Sequence, residues 1–560
     1  MHTLPSTASL FLGTPRFDAA CLRSGAAAAD VEAAWRQLVT RHGVDAPAQV
    51  SGDFAVALAD PDGRVFLAVD RFAIRSLCYR EVDGRLLFAE RADALGAQEI
   101  DSQALFDYLF FHNIPSPRTI FKGVFRIPPA HSVLFENGKL SVAPYWTPTF
   151  DETRKSPFED LRSEFRQLLN DAVRTQVGSL HARRVGCFLS GGTDSSTIAG
   201  MIGQVMGEPA ATYSIGFDAQ GYDEMEYARI AAQRFKTRHH EYYVTPDDLV
   251  RGIPAVAAHY DQPFGNSSAL PAYYCARMAK ADGVEKILAG DGGDELFGGN
   301  SRYAKQRAFG WYHELPRALR SGLLEPALAW PGMARIPFIK KGVSYVEQAR
   351  VPLPDRTEMY NLLLRLGTAD VLTADFLAQV DQRNPLQMQQ ATWRAAHADT
   401  LVNKMLAFDW RYTLAENDLP KVCGTTRLAD IAVGFPFLDQ RLLEFSLRLP
   451  PDHKLKGLKL RWFFKEALRG FLPDEIISKR KQGFGLPFGV WACRDPKLRQ
   501  LAADSLASLR GRNIVKVGFL DRLMSTLLPE HPGYYGEMVW ILMMLEQWLQ
   551  QHAAGFRIER

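Results

Sequence analysis

Between residues 51 and 91 short apolar runs alternate with turn residues: Phe54 to Leu58, a turn at Pro61 to Gly63, Val65 to Val69, Leu77 to Tyr79, a turn at Asp83 and Gly84, then Leu86 to Ala89. Apolar runs of this length, punctuated in this way, predict a β meander. From about residue 155 the pattern changes to long amphipathic segments between short strands, the latter predicted at Val185 to Leu189, Thr212 to Phe217 and Lys286 to Ala289. That alternation builds a parallel sheet with helices on its faces. The stretch Pro144 to Pro157 holds three prolines and few apolar residues, so it reads as a linker, with a domain boundary near residue 152. Beyond about residue 300 the chain reads as mostly helical, with no internal repeat or low-complexity tract. Near the end, Glu537 to Gln550 places apolar residues at helical spacing and predicts a core helix.

Composition adds limits to this picture. A chain of 560 residues, 47% hydrophobic and 23% charged, has the apolar surface for two cores. Its formal net charge of +3 gives no argument for nucleic acid as a partner. The six cysteines (Cys21, Cys78, Cys187, Cys275, Cys423, Cys493) are dispersed without a CxxC pair, which excludes the usual zinc and disulfide frameworks and suits a reducing cytoplasm. No basic apolar leader opens the chain, and the apolar stretch Met538 to Leu549 is short and interrupted by Glu546, so no membrane partner is expected. The basic run Lys454, Lys456, Lys459, Arg461 and Lys465 interleaves with Leu455, Leu458, Leu460, Trp462 and Phe463. It is expected to be a helix packing its apolar side with its lysines in water, rather than an RNA-binding face. His239, His240 and Glu241 read as a polar turn, since no further ligand follows at metal-site spacing.

The chemistry concentrates in two glycine-rich runs. Ser190, Gly191, Gly192, Thr193, Asp194, Ser195 and Ser196 follow the apolar segment ending at Leu189 and open a predicted helix. A strand, a glycine turn and a helix N-terminus together hold phosphate, because free N–H groups and the helix dipole face the anion while glycine lets the backbone approach it. The run is not a Walker A loop: the four-residue spacer and its lysine are missing. The second run, Gly290, Asp291, Gly292, Gly293, Asp294, Glu295, Leu296, Phe297, Gly298, Gly299, follows Ala289 and carries three carboxylates. Carboxylates beside a polyphosphate call for a divalent cation between them, so Asp194 and Asp294 are the candidate Mg²⁺ contacts. The strand Thr212 to Phe217, with Ile215, is a natural wall for an adenine.

The first run resembles the SGGxDS signature of PP-loop ATP pyrophosphatases, which cleave ATP between its α and β phosphates. Over a longer span the chain resembles the asparagine synthetase family. GDFAVALADPDGRVFLAVDRFAIRSLCYR (Gly52 to Arg80), TIFKGVFRIPPAH (Thr119 to His131) and the Tyr145, Trp146 pair are similar to that family's amidotransferase half. LSGGTDSS, YSIGF, DEMEYA (Asp223 to Ala228), DQPFGNSSALP (Asp261 to Pro271), GDGGDELFGGN, PFLD (Pro436 to Asp439) and RKQGFGLP (Arg480 to Pro487) then follow in family order. The resemblance implies two domains of mixed α/β and α+β class. Residues 1–152 would form an N-terminal nucleophile hydrolase-like β sandwich, and residues 153–560 a PP-loop ATP pyrophosphatase with a doubly wound parallel sheet and a helical extension. It also implies ATP and Mg²⁺ as cofactors, and ATP contacts at Leu189, Ser190, Gly191, Gly192, Asp194, Ser195, Ser196, Ile215, Ala289, Gly290 and Asp291. Lys481 matches the family lysine that reaches the phosphates and the oxyanion, so Lys481 and Asp294 are the expected catalytic pair, with Asp194 and Asp294 as metal ligands.

Two departures qualify the resemblance. Glutamine-hydrolysing members carry a cysteine directly after the initiator Met, where the freed amine serves as its base. This chain has His2, lacks the family's RGPD-like and NGEIYN-like runs, and offers only the internal Cys21 nearby; the glutaminase half is expected to be inactive. Before PFLD, KVCGTTRLADIAVGFPFLD (Lys421 to Asp439) replaces a family pattern close to KVDRMSMAHGLEVRVPFLD, placing Cys423 and Gly424 where Asp and Arg stand and Ala432 and Gly434 where Glu and Arg stand. The resemblance assigns that Glu to handling the incoming amine.

The expected reaction adenylates a carboxylate, releasing pyrophosphate, and passes the acyl group to an amine not drawn from glutamine. A small-molecule or peptide carboxylate would be the substrate. Lasso peptide cyclisation, with a precursor peptide and a partner protease, and β-lactam-type ring closure are options, since an intramolecular amine makes ammonia unnecessary. Asparagine formation from aspartate and ammonia is the alternative. A tRNA-modifying enzyme and a non-catalytic binding protein are the remaining readings.

Overall fold

The computed structural model describes residues 8–18, 30–314, 316–320, 337–479 and 485–559. Ten strands precede residue 145: β1 (Leu10–Gly13), β2 (Arg16–Phe17), β3 (Val50–Ser51), β4 (Phe54–Ala59), β5 (Val65–Val69), β6 (Cys78–Val82), β7 (Arg85–Ala89), β8 (Phe125–Arg126), β9 (His131–Glu136) and β10 (Lys139–Pro144). An antiparallel sheet runs β1-β4-β5-β9-β10, a second runs β7-β6-β8, and β2 pairs with β3. Alternation along β5 shows how the layers are held. Phe66 and Ala68 face Trp35 and Leu38 of helix α1 (Val31–His42), while Val65, Leu67 and Val69 face Leu86, Phe88 and Tyr79 of the second sheet.

The expected meander is therefore divided between two layers. The break lies at Asp70, whose buried carboxylate accepts N–H bonds from Phe54 (3.2 Å), Phe72 (3.0 Å), Ile74 (3.1 Å) and Arg75 (3.2 Å). Four donors on one side chain tie the chain into a knot that turns it out of the first sheet and into the second.

The second half is built on a parallel sheet, β13-β12-β11-β14-β15, formed by β11 (Val185–Phe188), β12 (Ala211–Phe217), β13 (Arg238–Val244), β14 (Lys286–Leu288) and β15 (Ala432–Gly434). Helices α3 (Phe158–Val177), α4 (Thr193–Met206) and α5 (Met225–Phe235) cover one face through Phe165, Ile198 and Ala228. Among the helices that follow α6 (Pro246–His259), α7 (Ala269–Ala281) covers the other through Cys275, Ala276 and Ala279. Strand order reverses at β11, so a crevice opens between the carboxyl ends of β11 and β14, the place where open α/β sheets bind ligands. The fold is thus the two-part architecture expected, with a doubly wound parallel sheet and a helical C-terminal part.

The two parts share a core. Helix α2 (Ser102–Phe111) contributes Leu105, Phe106 and Leu109 to the cluster that holds Leu249 and Ile253 of α6 and Leu542 and Trp548 of the helix Pro532–His552. That last helix is the core helix expected near the end, and its buried Glu546 is paired with Arg512 at 2.5 Å. The stretch expected as a linker runs from β10 to α3, and it is docked: Glu152 accepts from Thr400 N (2.9 Å), Thr400 Oγ1 (2.6 Å) and Asn403 Nδ2 (2.6 Å). No described helix is long and apolar enough to cross a membrane.

Two local expectations are corrected. The basic run is not one amphipathic helix: Leu455–Lys456 (β16) and Lys459–Leu460 (β17) form a hairpin around Gly457 (φ 62°), and the helix starts only at Trp462. Lys454 and Arg461 in it are buried, not solvated. His239, His240 and Glu241 lie in strand β13, not in a turn. His239 Nδ1 is 2.9 Å from Thr212 Oγ1 and His240 pairs with Asp282 at 3.0 Å.

Candidate active site

The first glycine turn leaves β11 at Leu189, whose N–H bonds Tyr213 O (2.9 Å) and whose carbonyl accepts from Ser214 Oγ. Gly191 sits at φ 68°, and a Cβ there would lie 2.4 Å from Ala228 N in α5, so only glycine lets the turn close against that helix. Ser195 Oγ, in the first turn of α4, accepts from Ser190 N at 3.2 Å and folds the loop over the helix N-terminus. Ser196 Oγ is buried without a hydrogen-bond partner. Ile215 lies on the neighbouring strand, β12.

The second turn leaves β14 at Ala289, whose N–H bonds Gly434 O at 2.9 Å, and it interlocks with the first. A Cβ on Gly290 would stand 3.0 Å from both Asp194 Cβ and Ser195 N; one on Gly293 would stand 2.1 Å from Asp194 Oδ1, and one on Gly299 1.7 Å from Asp294 Oδ1. These glycines make room for two aspartate side chains. Both carboxylates converge on the guanidinium of Arg461: its Nη1 is 2.7 Å from Asp194 Oδ2, 2.8 Å from Asp294 Oδ1 and 2.8 Å from Thr193 Oγ1, and its Nη2 bonds Asp194 Oδ1. Among the described residues no group of three His, Cys, Asp or Glu could hold a metal. One or two protein carboxylates are what Mg²⁺ takes when phosphate oxygens and water supply its remaining ligands, and Asp194 and Asp294 are the pair here that could serve.

Beside this pair lies a second charged group. Lys421 Nζ is 2.9 Å from Asp418 and 3.7 Å from Asp291. Burial works against the Lys421 charge, but Asp418 and Asp291 outweigh it and raise its pKa. Burial pushes the Asp291 carboxyl up, with Lys421 opposing. Burial, helped by Asp418 and Asp409, pushes the Glu295 carboxyl up to about 8. Of the expected residues, Leu189 to Ser196 and Ala289 to Asp294 meet at the reversal of strand order. Lys481 lies outside the described residues, as do His2 and Cys21.

A family model described as Asparagine synthase matches residues 164–550, and one described as Glutamine amidotransferase domain matches residues 26–146. The chain belongs to the asparagine synthetase family. Among its relatives, asparagine synthetase [glutamine-hydrolyzing] 1 of Bacillus subtilis is 27% identical over 459 residues, covering 80% of this chain and 70% of the relative. Asparagine synthetase [glutamine-hydrolyzing] 3 of the same organism is 25% identical over 520 residues (89% and 76%). Amidase chyE of Penicillium rubens is 25% identical over 550 residues (86% and 76%). Asparagine synthetase relationship makes this chain a member of an ATP-dependent ligase family.

The departures from the asparagine synthetase pattern can now be placed. Gly424 packs against Tyr260, whose ring atoms would lie 2.5 Å from a Cβ at 424 and whose hydroxyl donates to Pro420 O and Lys421 O (3.2 Å each). Gly434 is enclosed by Gln176, Lys286 and Leu288. Ala432, however, is exposed at the start of strand β15, paired with Lys286, two residues before the end that bonds Ala289.

Sequence reasoning missed Arg461 and Lys421. Lys421 heads the segment matched before PFLD, and its place at the front of a family motif was the available signal. Arg461 lay in a run read as a surface helix; Gly457, four residues earlier, was the sign of a hairpin instead.

Proposed function

We propose that the chain is an AMP-forming carbon–nitrogen ligase that adenylates a carboxylate at the crevice and transfers the acyl group to an amine without hydrolysing glutamine. The single observation that carries this reading is the pair of interlocked glycine turns, which bring the N-terminus of α4, Asp194 and Asp294 together at the reversal of strand order. Ser196 Oγ and Arg461 Nε have no acceptor there. Buried donors left without partners are costly, and a polyphosphate would satisfy them. Asp194 and Asp294 would hold Mg²⁺, which supplies positive charge to the phosphates when bound. Lys421 and Arg461 add positive charge, and Lys481 is assigned to the phosphates from its place in RKQGF. Attack by a carboxylate oxygen on the α phosphorus breaks its bond to the bridging oxygen, and the amine then displaces AMP. The N-terminal sandwich is assigned a scaffolding role: among its described residues Cys78 is the sole cysteine, fully buried, with its thiol pushed up by that burial.

Similarity to asparagine synthetase [glutamine-hydrolyzing] 1 of Bacillus subtilis supports a second reading, asparagine formation from aspartate and free ammonia. ATP–pyrophosphate exchange separates the readings. Exchange stimulated by aspartate identifies the synthetase, and exchange stimulated by a peptide carboxylate identifies a ring-closing or peptide-modifying ligase. Release of ADP and orthophosphate in place of AMP and pyrophosphate would overturn both.

A further inference from the structure

We propose that Arg461 is a resident counter-ion: it closes the Asp194–Asp294 pair to free divalent cations and passes to the polyphosphate when a nucleotide binds, so that the divalent cation enters only with nucleotide. The inference rests on the reading of the crevice as a nucleoside triphosphate site.

Two carboxylates brought this close repel each other unless a cation lies between them. Arg461 provides that cation from a fixed base. Its backbone adopts φ 54°, its N–H bonds Lys454 O (2.8 Å) and Gly298 O (3.2 Å), and its guanidinium lies 4.0 Å from the Phe464 ring centroid. Only the side chain is able to pivot. Its hydrogen bonds are also unevenly distributed. Nη1, with two hydrogens, faces three acceptors on Thr193, Asp194 and Asp294, while the single hydrogen of Nε has none. The guanidinium thus keeps an unspent donor at Nε while Nη1 has more acceptors than hydrogens, and its planar fork suits phosphate.

The glycines of the second turn keep this arrangement closed. Arg461 Cδ would lie 2.6 Å from a Cβ on Gly299, and Arg461 Nη2 3.1 Å from one on Gly293. The space between the carboxylates is thus already filled by guanidinium, and a divalent cation entering alone would meet a positive charge held against it. Once the triphosphate draws the guanidinium away, the same carboxylates are open to the cation that accompanies it.

Mn²⁺ is the probe, with free ion counted by electron paramagnetic resonance on the full chain without nucleotide. The wild type is expected to bind Mn²⁺ at least tenfold more weakly than Arg461→Met, and adding Asp194→Asn to that variant should abolish the gain. Arg461→Lys, which keeps one point charge, should fall between the two and serves if Arg461→Met does not fold. Nucleotide-free wild type that binds one Mn²⁺ per chain at micromolar concentration, or a folded Arg461→Met that binds no more tightly than wild type, overturns the proposal. Equilibrium dialysis of α,β-methylene-ATP on the same wild-type sample tests the underlying reading. Nucleotide binding alongside tight nucleotide-free Mn²⁺ binding sinks only the counter-ion; no nucleotide binding in the presence of Mn²⁺ sinks the functional reading and this inference with it.

Discussion

Asp70, directly after β5 in the N-terminal sandwich, and Asp194, in the first turn of α4 at the crevice, are stabilised in opposite ways. Asp70 is satisfied by its own loop, through four backbone N–H groups. Asp194 is satisfied by a guanidinium from a residue 267 positions away, in a network that leaves the Arg461 Nε donor unspent. A carboxylate saturated by neutral local donors organises a fold and has nothing left to offer a ligand. One balanced by a long-range charge can exchange that partner for another. The contrast fits the proposed division of labour, in which one half of the chain is scaffold and the other binds a polyanion.

The largest expected effect is on the crevice side. Asp194→Asn should reduce pyrophosphate exchange by about a thousandfold or more, the scale on which lost electrostatic stabilisation of a transition state is felt, and Lys481→Ala should do the same; circular dichroism should remain that of the wild type. Asp70→Ala should do the reverse. It strands four N–H groups, of which those of Phe54 and Phe72 are buried and each worth about 1–3 kcal/mol, so denaturant unfolding should show a loss of at least ~2 kcal/mol while exchange per folded molecule stays unchanged. If Asp70→Ala abolished exchange without loss of stability, the contrast between the two aspartates would fail.

Gly299→Ala sharpens the comparison within the crevice, because its Cβ would meet Asp294 Oδ1 at 1.7 Å. Nucleotide affinity, read by equilibrium dialysis, should fall about tenfold or more, equivalent to ~1.4 kcal/mol. Gly310→Ala, which meets nothing within 4 Å, should leave it unaltered. The smallest effect concerns pH. Glu295 is raised to about 8 by burial and its acidic neighbours. The folded state therefore holds a proton that the unfolded chain loses above about pH 4.5, and stability must decline as pH rises between those two values. Glu295→Gln removes this dependence, so a plot of melting temperature from pH 5 to 9 should be flatter for the variant than for the wild type.

How much of this was legible in the chain differs by residue. The glycine turns were legible because everything they need is local: an apolar strand, glycines and a helix start lie side by side at Val185 to Ser196. The division of the meander between two sheets was not, since the alternation of β4 to β7 is the same whichever layer each strand joins. Lys421 stood in a recognised segment, yet its charge has meaning only beside Asp291 and Asp418. Ala432 was legible as a replacement within a matched segment, but its exposed place at the start of β15 was not, since a match along the chain does not say which end of a strand a residue occupies.

By itself, then, the sequence determined the family, the parallel-sheet class and the two glycine turns, because these follow from apolar period, glycine placement and helix starts that span a few residues each. Only the tertiary structure decided that Arg461 closes the aspartate pair. A hairpin about Gly457 and a left-handed backbone at 461 carry a cation from a run that reads as solvated surface into a buried site. Burial and pairing of charge depend on which distant elements meet, and that is settled by packing and not by local pattern.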